Sequence, residues 1–137
     1  MQSQKFVVTS VLAAVLLFTI GGLVYGSVLA NFFAANMGSA TGITKEPADF
    51  WAIVVGELAG GTLLTLVIAG WARVGTAAGG AKVGAVMALM MTINFDFVLY
   101  GTSNVANLTA ACVDVLVNTV RYAIVGAFVG WMTGRGR

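Results

Sequence analysis

FVVTSVLAAVLLFTIGGLVY, residues 6–25, runs for twenty residues without a charge. A helix of that length rises about 30 Å, the thickness of the hydrocarbon core of a bilayer. The stretch lacks the two-residue alternation of a barrel strand, and only helices and closed barrels satisfy their backbone in lipid. It also exceeds the ~7–15 apolar residues of a secretory signal core, so it reads as a retained span. Three further runs follow. Phe50–Trp71 contains one charge, Glu57; Val83–Tyr100 contains only Asp96; Leu108–Trp131 contains Asp114 and Arg121. The expected spans are residues 6–26, 50–71, 83–100 and 108–131. The expected fold class is all-α, an integral membrane four-helix bundle forming a single domain over residues 1–137.

Composition points the same way. Of the 137 residues 59% are hydrophobic and only 9% charged, with mean hydropathy +0.96. A soluble domain needs about 25% charged residues to clothe its surface. A soluble fold and a disordered chain are both excluded. The chain has no His and a single Cys, Cys112, so the usual zinc, haem and thiol-redox sets are missing. No phosphate loop, nucleophile–base pair or metal-ligand spacing occurs, so neither an enzyme nor a cofactor is expected. A net charge of +2, thinly scattered, gives no footprint for nucleic acid. The first partner is the lipid bilayer itself.

Basic residues set the expected orientation. In a four-span chain Lys5, Arg73, Lys82, Arg135 and Arg137 fall on one side, and Lys45 alone, beside Glu46 and Asp49, on the other. Both termini are therefore expected in the cytoplasm, in the bacterial inner membrane. Trp51 and Trp71 stand twenty residues apart, where interfacial aromatic belts belong, and Tyr25, Tyr100 and Trp131 mark other span ends.

The charged residues inside the spans carry the chemistry. An ionisable side chain at mid-membrane costs at least ~2.5–3.5 kcal/mol, so each should face protein or water. Counted from the span ends, Glu57, Asp96 and Asp114 fall about 6–11 Å from the non-cytoplasmic boundary, with Arg121 about two turns deeper. Asp114, Asn118 and Arg121 are spaced i, i+4, i+7 and share one helix face. Thr92, Asp96 and Tyr100 share another face, with Asn94 beside it. The expected polar centre thus comprises Glu57, Asp96, Asp114, Arg121, Asn118, Asn94 and Tyr100, with Arg121 paired to Asp114 or Asp96. Three carboxylates against one guanidinium leave charge that protonation, water or a cation must relieve. Glu57 is the expected proton carrier, because no basic residue shares its helix face. Gly56-x-x-x-Gly60, Gly126-x-x-x-Gly130 and Gly130-x-x-x-Gly134 carry the small-residue spacing that lets helix backbones approach closely.

Two segments bring a family to mind. GGLVYGSVLANFF (Gly21–Phe33) is similar to the end of helix one in small bacterial four-helix membrane proteins of unknown function. FDFVLYGTSNVANLTAACVDVLVNT (Phe95–Thr119) resembles a related uncharacterised pattern at Tyr100, Gly101, Thr102, Asn107, Leu108 and Asp114. Ser103-Asn104 stands where that pattern has a Tyr-Asp pair, and Arg121 has no counterpart in it. The resemblance implies a four-helix integral membrane protein without an established activity. Small multidrug exporters also have four helices and an embedded glutamate, but theirs lies on helix one, which carries no charge here. Two roles stay open from the residues. One is a small proton- or cation-coupled transporter, expected as a homo-oligomer. The other is a structural or accessory subunit packed against other chains of a membrane complex.

Overall fold

A computed structural model describes residues 3–135, and these form an all-helical bundle. Helix α1 spans Ser3–Leu23 and widens into a π-helical stretch, Val24–Val28, where the Leu29 N–H donates to the Val24 carbonyl at 2.7 Å. A short α2 follows at Ala30–Ala35. Helix α3 spans Phe50–Thr65 and also ends in a π-helical stretch, Leu66–Trp71. Helices α4 (Ala77–Thr102) and α5 (Leu108–Gly134) complete the chain. Four helical segments, Ser3–Val28, Phe50–Trp71, Ala77–Thr102 and Leu108–Gly134, are long and apolar enough to cross a membrane.

The sequence expectation places all four but cuts α4 short. The helix begins at Ala77 rather than residue 83 because the Thr76 hydroxyl accepts from the Gly79 N–H at 3.1 Å, a cap that closes the first turn. Lys82 is carried inside the helix with its side chain exposed. Asn107 caps α5 in the same way, accepting from the Ala110 N–H at 2.9 Å. Arg137 lies outside the described residues.

Two helix pairs build the bundle: α4 lies along α5, α1 lies along α3, and α1 also packs on α5. A fully buried apolar cluster of Ala13, Leu17, Leu64, Ile68, Val125 and Val129 joins the pairs. The α4–α5 contact depends on missing side chains. A Cβ at Gly80 would strike the Gly126 carbonyl, and one at Gly126 would strike the Gly80 carbonyl. Gly130 also meets α4, whereas a Cβ at Gly56 would meet open space. The spacing therefore marks a real contact on α5 and none at Gly56.

Both described ends of the chain lie at one end of the bundle, since Lys5 Nζ donates to the carbonyls of Thr133 (3.3 Å) and Arg135. Trp71 and Trp131 are exposed there, and the Arg135 guanidinium stacks over the Trp131 ring at 4.2 Å. At the other end, residues 36–40 are tied down on 104–107. Gly38 and Ala40 donate to the carbonyls of Val105 and Asn104 at 3.0 Å each, and the Asn107 N–H donates to the Asn36 carbonyl at 3.1 Å. Gly38 is required at this approach, because a Cβ would collide with the Asn104 backbone. The tie forms a cap over the α4–α5 turn.

Candidate functional site

The charged groups inside the spans are joined in one string through the bundle. The α5 stripe faces inward as its spacing requires: Arg121 is only 8% exposed, and Asp114 and Asn118 are half-buried. Arg121 reaches across to α1, where its Nε and Nη2 both donate to the Leu17 carbonyl, at 3.1 and 2.5 Å. Gly21 makes that possible, since a Cβ there would stand 2.7 Å from Nη2. The same Nη2 forms an ion pair with Glu57 on α3. Its Nη1 donates to Asn118 Oδ1 at 3.4 Å. One guanidinium therefore ties α1, α3 and α5 together.

This corrects the expected pairing. The partner of Arg121 is Glu57, not Asp114 or Asp96. Counting from span ends set Glu57, Asp96 and Asp114 at one level and could not choose among them; the packing that brings α3 to the inner face of α5 does. Glu57 is accordingly not the uncompensated acid.

Toward the capped end the string continues through Asn118. Its Nδ2 donates to Asp114 Oδ2 and to Tyr25 Oη, both at 2.9 Å, and the Tyr25 hydroxyl donates to Asp114 Oδ1 at 2.5 Å. Tyr25 is half-buried. It is a member of the polar centre rather than of an interfacial belt, and the residue reading missed it. The available signal was its spacing: Leu17 and Gly21 on α1 and Tyr25 in the π-helical stretch that continues it are four residues apart, and the first two are buried.

Asp96 comes next, 8% exposed on α4. Its carboxyl opens on the same cavity as that of Asp114. Its Oδ2 is buried without a hydrogen-bond partner among the described residues. Both acids line a cavity of about 260 Å³ shared with Tyr25, Phe33, Leu99 and Ala106. The cavity sits directly beneath the cap, because Ala106 belongs to the tied segment. Among the described residues no group of three or more His, Cys, Asp or Glu side chains is arranged to hold a metal ion.

Two expected members of the centre stand elsewhere. Asn94 is exposed. It lies two residues from Asp96, which turns it about 200° around a helix of 3.6 residues per turn. Tyr100 is 44% exposed, close to the end of α4. Successive i+4 steps drift about 40° around the helix, and that drift carries the ring outward from Asp96. The cluster that exists is therefore Glu57, Arg121, Asn118, Asp114, Tyr25 and Asp96.

No protein family, no curated protein and no solved structure matches the chain.

Proposed function

We propose that the chain is a multi-pass protein of the bacterial inner membrane, of the small four-helix kind that Tyr100–Asp114 resembles, and that it couples a proton to transport at Asp96 and Asp114. Lys5, Arg73, Lys82 and Arg135 on the terminal side support a cytoplasmic position for both ends. The one basic residue on the capped side, Lys45, is neutralised by Asp49 at 2.5 Å.

A single observation carries the proton reading: the buried Asp96 Oδ2 has no hydrogen-bond partner among the described residues, in a cavity that Asp114 also lines. Two adjacent carboxyl groups in low dielectric cannot both be ionised without large cost. Asp114 already accepts from the Tyr25 hydroxyl and the Asn118 amide, one on each carboxyl oxygen. A proton on Asp96 supplies the missing donor and removes the repulsion in one step. Loss of that proton to the cavity, and its return, is the elementary event of coupling. Infrared spectra of the protein in lipid at neutral pH should show a protonated-carboxyl band that Asp96→Asn removes. A wild-type spectrum without such a band sinks the proton reading.

The other half of the string is paired within the chain and structural, as both the transporter and the accessory-subunit roles require. Arg121 is engaged by Leu17, Glu57 and Asn118, an arrangement that holds three helices in register. That half serves the fold in either role.

A further inference from the structure

Asn94 lies about 7 Å from the midpoint of α4, well inside a ~30 Å hydrocarbon layer. Its side chain is exposed and has no hydrogen-bond partner among the described residues. An unsatisfied amide facing acyl chains is costly, and water is not there to satisfy it. Its surroundings are equally unpartnered. Met90, Met91, Phe97 and Val98, one turn to either side, are 44–58% exposed. Of the four candidate spans, α4 buries the smallest share of its most apolar stretch, 11% against 28–33% for the others.

We infer that this face of α4 pairs with the same face of a second copy of the chain, through reciprocal Asn94 hydrogen bonds across a two-fold axis. The chemistry selects that occupant. A primary amide is both donor and acceptor, so Nδ2 of each Asn94 donates to Oδ1 of the other and both are satisfied by one residue type. A charged partner surface would instead call for an exposed charge, and this face has none. The two methionines are flexible enough to fit against their own symmetry copies. Asp96 stays on the opposite side of α4, so each copy retains its own carboxyl pair and cavity.

The inference rests on the membrane placement proposed above, and the two fail separately. Carbonate-resistant pelleting of the expressed protein tests the placement. Energy transfer between donor- and acceptor-labelled chains in phospholipid vesicles, followed on lipid dilution, tests the pairing. Wild-type chains should associate. Asn94→Leu should weaken association about ten-fold, which corresponds to ~1.4 kcal/mol and lies within the range for interhelical polar contacts. Asn94→Gln should preserve it. Neither change should alter the thermal unfolding of the monomer in detergent, because the exposed Asn94 side chain has no hydrogen-bond partner among the described residues. In a Cys112→Ala background, Asn94→Cys should form an intermolecular disulfide under mild oxidation, whereas Phe95→Cys should not. Monomeric wild type in the vesicles, association unaffected by Asn94→Leu, or pairing only with a different membrane protein would each overturn the inference.

Discussion

Arg121→Leu is expected to cost ~3–5 kcal/mol of stability, the range for removing one partner of a buried ion pair. The loss has identifiable parts. Glu57 keeps its carboxylate without a countercharge, the Leu17 carbonyl loses two donors, and Asn118 Oδ1 loses its contact. Leucine cannot fill the berth that Gly21 leaves for a planar guanidinium. Adding Glu57→Gln should recover part of the loss, since the orphaned charge is then gone. Adding Asp114→Asn instead should recover little, because Asp114 bonds to Tyr25 and Asn118 rather than to Arg121. Equilibrium unfolding in mixed micelles gives all four values. A single-variant change below ~0.5 kcal/mol, or equal rescue by either second change, would show that the pairing is wrong.

The second large effect is expected at Gly80. Overpacking a core of side chains costs ~1–3 kcal/mol, because side chains can shift. Here the obstacle is the Gly126 carbonyl and the Gly130 Cα. Backbone cannot yield without moving α4 off α5, so Gly80→Leu should cost more than ~3 kcal/mol. Gly22→Ala is the matched control: nothing lies within 4 Å of its Cβ position, and the gain in helix propensity is ~0.5–1 kcal/mol. Denaturation midpoints of the two variants should therefore move in opposite directions. A Gly80→Leu variant as stable as the wild type would be incompatible with the α4–α5 contact.

The four spans and the inward stripe of α5 could be read from the residues. Both rest on properties local to one helix: an uninterrupted apolar run, and the angular spacing of Asp114, Asn118 and Arg121. What could not be read depends on relations between helices. The packing of α3 beside the inner face of α5 brings Glu57, not Asp114, to Arg121. Tyr25 looked like a belt residue because it sits at the end of an apolar run, yet the face it shares with Leu17 and Gly21 turns it toward Asp114. Asn94 was grouped with Asp96 because they are near in sequence. On a helix that nearness places them on opposite sides. The cap formed by residues 36–40 on 104–107 has no sequence signature beyond a glycine at 38 and asparagines at both edges.

The proton-coupling proposal is tested most directly by proton uptake into proteoliposomes under an imposed pH gradient, with Asp96→Asn beside the wild type. Asparagine at that position keeps the shape, can donate to Asp114, and carries no titratable proton. Wild-type vesicles should take up protons faster than empty ones. The Asp96→Asn vesicles should fall to the empty-vesicle rate while the protein remains folded. Uptake by the variant equal to that of the wild type, or wild-type vesicles no faster than empty ones, would contradict a coupling proton at the Asp96–Asp114 pair.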